Sequence, residues 1–128
     1  MRFSLRSRKN WESTVEVDSV VLPGVRYRLV RMSLERRGHL IRAIRELAGK
    51  AEFHAAGGVD GKLESSALAL DIDAVYLRWG LAGIEGLAID GKEASPELLI
   101  ARGPEALARE VVAGIKRECA LSEEERKN

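Results

Sequence analysis

Apolar and polar residues alternate along Thr14-Val15-Glu16-Val17-Asp18, and a period of two predicts a half-buried strand. The same period returns in Val25-Arg26-Tyr27-Arg28-Leu29, with Val25, Tyr27 and Leu29 on one face and Arg26 and Arg28 on the other. Between them stands Leu22-Pro23-Gly24-Val25. Proline presets the first φ of a type II turn and glycine accepts the positive φ at the second. Together these segments predict an antiparallel β-hairpin. Its register stays open, because Pro-Gly is not the tight-hairpin dipeptide and admits a bulge or a wider loop.

At Ser33 the period lengthens. Serine caps a helix well, and Glu35 in the first turn favours the helix dipole. Leu40, Ile41, Ile44, Leu47, Ala48 and Ala51 then recur at three- and four-residue spacing, predicting an amphipathic helix. Gly57-Gly58-Val59-Asp60-Gly61 reads as its breaker. A second helix is predicted from about Lys62 to Gly80, with one row in Leu63, Ala67, Leu70, Ala74 and Leu77. An adjacent row of Leu68, Ile72, Val75 and Trp79 widens the apolar stripe, so burial against more than one neighbour is expected. Gly80, Gly83 and Gly86 interrupt any continuation as helix. Gly86 to Lys92 reads as a short strand entering an Asp-Gly turn. Ser95-Pro96-Glu97 opens a short helix that stops by Gly103, and Gly103-Pro104-Glu105 opens another. Leu107, Ala108, Val111, Val112, Ile115 and Cys119 line the inner face of that last helix. The expected class is α+β: a small N-terminal antiparallel β-hairpin or sheet followed by a mostly α-helical body. One domain covers 1–128, with a β-rich segment at 1–32, a helical body at 33–121 holding a short β-turn near 86–93, and a charged tail at 122–128.

Composition narrows the class. At 128 residues and 14.1 kDa, 45% hydrophobic and 32% charged, the chain fits one globular domain. Its uncharged apolar stretches fall far short of the roughly 20 residues a membrane span needs, so no membrane partner is expected. The basic start Met1-Arg2-Phe3-Ser4-Leu5-Arg6-Ser7-Arg8-Lys9 lacks an apolar region behind it, which argues against a secretory signal. One cysteine excludes an internal disulfide framework and suits a reducing cytoplasm. The formal net charge of +1 hides an asymmetry: residues 1–50 hold 12 Lys+Arg and 5 Asp+Glu, and the remainder holds 9 and 15. Opposite halves suit a nucleic-acid-binding end, an oppositely charged partner, or copies that associate head to tail.

Candidate chemistry is sparse. His39 and His54 stand fifteen apart, with no HExxH, CxxC or carboxylate cluster at ligand spacing, so no metal or cofactor is expected. Asp71 and Asp73, two apart, point to different faces of a helix. Cys119 continues an apolar row, where cysteine acts as a small hydrophobe. Ser65-Ser66 lacks an oxyanion-type glycine context, and Gly57 to Lys62 has the wrong spacing for a P-loop and no Ser or Thr after its lysine. Trp79 reads as core. The expectation is therefore a non-enzyme with no catalytic, cofactor or metal residues, and the binding residues stay open. Arg2, Arg6, Arg8, Lys9, Arg26, Arg28 and Arg31 could line a strand face, with Arg36, Arg37, Arg42 and Arg45 on the helix behind. That array reads either as a phosphate-contacting surface or as a solvated face for an acidic protein. Only Phe3, Trp11 and Tyr27 are interleaved to stack bases, which makes nucleic acid the less favoured partner.

Several segments in order resemble the tail-assembly chaperones of phages and prophages, small proteins encoded just ahead of the tape-measure protein. They are Pro23-Gly24-Val25-Arg26-Tyr27-Arg28-Leu29-Val30-Arg31-Met32-Ser33, Ile44-Arg45-Glu46-Leu47-Ala48 through Glu52-Phe53, and Tyr76-Leu77-Arg78-Trp79-Gly80-Leu81. Glu85 to Ile100, Gly103-Pro104-Glu105-Ala106-Leu107, Ile115-Lys116-Arg117-Glu118-Cys119 and Leu121 to Asn128 complete the set. The likeness spans about residues 20–128 and none of its motifs is catalytic. It implies a cytoplasmic chaperone that keeps the helical tape-measure protein soluble while tail-tube subunits polymerise around it, and that is absent from the mature virion. The tape-measure protein, the tail-tube protein and further copies of the chain are the implied partners. Many such proteins also have a longer form made by a −1 ribosomal frameshift. The ending Arg126-Lys127-Asn128 is compatible with a slippery A-AAA-AAC heptamer and with the short, non-frameshifted form. A nucleic-acid-binding accessory protein and a structural tail component are the alternatives.

Overall fold

The two alternating segments pair antiparallel as β1 (Thr14–Asp18) and β2 (Arg26–Val30), with Thr14 opposite Val30 and Asp18 opposite Arg26. This computed structural model describes residues 8–127, and side chains for residues 8–120. The Val25 N–H donates to the Leu22 carbonyl at 3.0 Å and Gly24 has φ +94°, the geometry of the expected type II turn. The Ser19 N–H donates to the Val25 carbonyl at 2.8 Å, so the turn sits inside a wider loop.

A third strand, β3 (Leu81–Glu85), occupies the stretch read only as glycine-interrupted and completes a sheet of order β1-β2-β3. Its pairing with β2 slips between Arg28 and Leu29, the signature of a bulge. The buried residues of β3, Leu81 and Ile84, are consequently three apart rather than two. That spacing is why alternation did not announce the strand.

Ser33 caps α1 (Leu34–Ala55), its hydroxyl oxygen accepting the Arg36 N–H. Ala56 and Gly57 link it to α2 (Gly58–Gly80), which starts four residues earlier than the glycine cluster suggests. Gly61 does not break the helix. A Cβ there would collide with the carbonyl oxygen of His54, so glycine lets the end of α1 and the start of α2 approach closely. Asp90 and Gly91, both at positive φ, turn β4 (Ala88–Ile89) into β5 (Lys92–Glu93) as expected of Asp-Gly. Ser95 caps α3 (Pro96–Arg102), accepting the Leu98 N–H. Beyond Gly103 and Pro104, α4 (Glu105–Lys127) keeps a helical backbone past residue 122, where the charged tail was expected.

The molecule is thus α+β, a three-stranded antiparallel sheet with a mostly helical body. Its core joins Tyr27 and Leu29 of the sheet to Leu99 of α3, Leu107, Val111 and Ile115 of α4, and Leu77 at the base of α2. The side chain of Ile115 fills the place a Cβ of Gly80 would take, at 2.8 Å, so α2 meets α4 at glycine. In contrast, α1 has one buried residue, Leu40, and packs chiefly on α2.

Candidate binding surface on the helical hairpin

Burial along the two long helices follows helical spacing. On α1, Leu40, Ile44, Leu47, Ala51 and His54 are buried or half-buried, and every other residue from Ile41 to Ala55 is exposed. On α2, Gly61, Ser65, Leu68, Ile72 and Val75 repeat that spacing. Because Gly61 abuts His54, this is the side turned to α1.

The other row of α2 behaves differently from one end to the other. Leu77 is in the core and Ala74 is half-buried, but Leu70 is 56% exposed and Leu63 65% exposed. The row starts under α3 and α4 and runs out into solvent. Where it leaves the body it forms one wall of a cleft of about 310 Å³, with Leu77, Leu99 and Val112 in its lining and Leu70, Asp73 and Arg109 among the more exposed residues. Arg109 is held by Glu105 at 2.6 Å, and Asp73 lies 3.9 Å from Lys116, whose ammonium also sits over the Tyr76 ring. Along one edge of the row, Asp60, Glu64 and Asp71 have no ion pair among the described residues.

The arginines expected to form one basic face are divided. Arg26 lies 3.0 Å from Asp18 and 3.7 Å from Glu16; Arg28 lies 3.7 Å from Glu16 and 3.8 Å from Glu85. The hydrogen bond to Asp18, with its charge and that of Glu16, raises the Arg26 pKa. Arg31 contacts Glu118 at 3.8 Å and stacks over Trp11. Glu16 and Asp18 alternate onto the same side of the sheet as these arginines, and β3 adds Glu85, so carboxylates interleave the strand cations. Arg37 donates to the Cys119 carbonyl at 3.1 Å. Arg36, Arg42 and Arg45 on α1 have no acidic partner among the described residues. Arg2 and Arg6 lie outside the described residues.

One polar centre was not foreseen. Glu110, midway along the core face of α4, accepts the Val20 and Val21 N–H groups at 2.9 and 3.0 Å through Oε1. Its Oε2 is shut from solvent and has no well-aligned partner. Burial raises its pKa, but those two N–H groups and the Ser19 and Tyr27 hydroxyls outweigh it and bring the pKa below the ordinary carboxylate value. Tyr27 is pushed up to about 12, first by burial and then by the Glu110 charge. The sequence signal was faint: a carboxylate three residues after Leu107 and one before Val111, on the apolar side of the helix.

The remaining candidates stay apart. His39 is exposed on α1, while His54 is half-buried against the edge of Phe53. Cys119 is half-buried on α4, and Ser65 and Ser66 lie mid-helix on α2. Trp79 is half-buried beside the core, its indole nitrogen enclosed without a hydrogen-bond partner. Among the described residues no group of His, Cys, Asp or Glu is placed to hold a metal ion, and no helix is long and apolar enough to cross a membrane. No family model, no curated protein and no solved structure matches the chain significantly.

Proposed function

We propose that this chain is a non-enzymatic phage tail-assembly chaperone that holds a helical segment of the tape-measure protein in solution. The observation that carries this reading is the apolar row of α2, which begins in the core at Leu77 and continues through a cleft into solvent at Leu70 and Leu63. A cleft opening along a helix suits the apolar side chains of an amphipathic helix, which recur at three- and four-residue spacing. The ordered resemblance over residues 20–128 supplies the identity of the client. The pairing of Arg26 and Arg28 with carboxylates favours this over a nucleic-acid role, because phosphate contact needs cations free to displace counterions.

Co-expression of the full chain with the tape-measure protein that the resemblance places beside its gene tests the reading. The expected result is a soluble client that co-purifies, and loss of co-purification in Leu70→Glu with an unchanged melting temperature. A client that stays insoluble, or binds Leu70→Glu as well as the parent, overturns it. Salt-sensitive binding of labelled DNA or RNA would support the accessory-protein alternative instead.

A further inference from the structure

We infer that the helix accepted on the open row of α2 is a basic amphipathic one, with lysines or arginines along one edge of its apolar stripe. The inference rests on the reading of that row as the client's site and adds the charge that selects among clients. Three dipeptides on α2 place an apolar residue directly before a carboxylate: Val59-Asp60, Leu63-Glu64 and Leu70-Asp71. They are spaced by about one turn and about two. The apolar members therefore share a face, and the carboxylates form a line beside it, about a quarter-turn away. Val59, Leu63 and Leu70 are 76%, 65% and 56% exposed, and the three carboxylates are exposed as well. From Asp60 to Asp71 the line runs for about 16 Å along the helix axis.

That line is uncompensated. Asp60, Glu64 and Asp71 have no ion pair among the described residues, whereas Arg78, farther along the same edge, is held by Glu97 of α3 at 2.9 Å. Across the row the charges are mixed: Lys62 stands there, and Asp73 lies 3.9 Å from Lys116. The row thus has one acidic edge and one mixed edge. An apolar stripe alone gives affinity with little discrimination. The carboxylates add discrimination, because an acidic helix laid along them is repelled and a basic one is paired. Lysine and arginine suit the place for a second reason: their methylene stems can lie along the apolar row while their heads reach the carboxylates. A phosphate backbone is repelled by the same line.

Two labelled synthetic helical peptides with the same leucine stripe, one flanked by lysine and the other by glutamate, test it by fluorescence anisotropy with the full chain. At low salt the lysine peptide is expected to bind about tenfold or more tightly than the glutamate peptide. The difference should shrink as ionic strength rises past physiological, where the Debye length falls below about 8 Å. Glu64→Lys with Asp71→Lys reverses the preference, and Leu63→Ser with Leu70→Ser weakens both peptides. Glu46→Lys with Glu52→Lys on α1 changes the net charge equally and keeps the preference. All six positions are exposed, and helical circular dichroism verifies that each variant folds. Failure of both peptides to bind, equal binding of the two, a preference that survives Glu64→Lys with Asp71→Lys, or one that the α1 variant reverses as well overturns the inference. A tape-measure protein that stays insoluble on co-expression, beside a peptide preference that reverses as expected, overturns the identity of the client and leaves the selection for a basic helix standing.

Discussion

Glu110 shows how one side chain sets local structure from a distance of ninety residues. It binds the N–H groups of Val20 and Val21, fixing the β1–β2 loop against α4. Glu110→Ala leaves those donors without their acceptor and is expected to cost about 1–2 kcal/mol in urea-unfolding free energy. The pH dependence has a definite sign. A carboxyl whose folded pKa lies below its unfolded value contributes stability above the unfolded value, 4.5, and loses it as pH falls through the folded one. The parent should therefore lose stability on acidification more steeply than Glu110→Gln. Tyr27 acts at the other extreme. Its neutral form is favoured in the fold up to about 12, against 10.0 ordinarily, so unfolding becomes easier as pH rises through that interval. Absorbance titration should show Tyr27→Phe losing the tyrosinate that forms near pH 12. Residue types at caps and turns were legible in the sequence, since Ser33, Ser95, Pro23-Gly24 and Asp90-Gly91 act on neighbours. Glu110 was not, because its partners are set by the fold.

At the scale of elements, glycine was the hardest residue to read. Gly57 lies in the break between helices, but Gly61 lies within α2 where His54 comes close, and Gly80 lies where Ile115 packs. A sequence shows that a glycine is present and not whether its missing Cβ is used for a turn or for an approach. Gly80→Ala would place its Cβ 2.8 Å from the Ile115 side chain and is expected to cost about 1–3 kcal/mol by overpacking. Strand β3 was hidden for a related reason, its bulged register spacing the buried residues by three. The helical periods, by contrast, announced α1, α2 and α4 plainly, and the Ser95-Pro96-Glu97 start announced α3. What periodicity did not show is how thinly the helical hairpin is packed. Between Ile41 and Ala67 no residue is fully buried. Local opening is governed by such burial, so amide hydrogen exchange should run faster over residues 43–66 than over residues 107–115 of α4, which hold the core.

For the molecule as a whole, these differences imply two parts of unequal stability. The body has a shared core in which Leu107, Val111 and Ile115 are fully buried, whereas Leu40 is the buried anchor of α1 and Leu68 lies on the α2 face opposite it. The halves of the sequence, opposite in charge, do not map onto these parts. Some of their charge is joined within the sheet and α4, as in Arg28–Glu85 and Arg31–Glu118, while Arg42 and Arg45 on α1 and Asp60 and Glu64 on α2 have no ion pair among the described residues. Composition could reveal the imbalance but not its division, because pairing depends on which strands become neighbours. Leu107→Ala removes a side chain with no exposure from the body and should cost about 2–4 kcal/mol, lowering the urea midpoint of every probe together. Leu40→Ala removes the anchor of α1, far in sequence from the indoles of Trp11 and Trp79, and the latter packs beside the body core. Helical circular dichroism, which registers α1 directly, should then fall at lower urea than tryptophan fluorescence. The parent chain, with Leu40 in place, should show the two probes closer together. Coincident transitions in Leu40→Ala would mean that the hairpin and the body unfold as one unit, and that the open face of α2 is as rigid as the core it grows from.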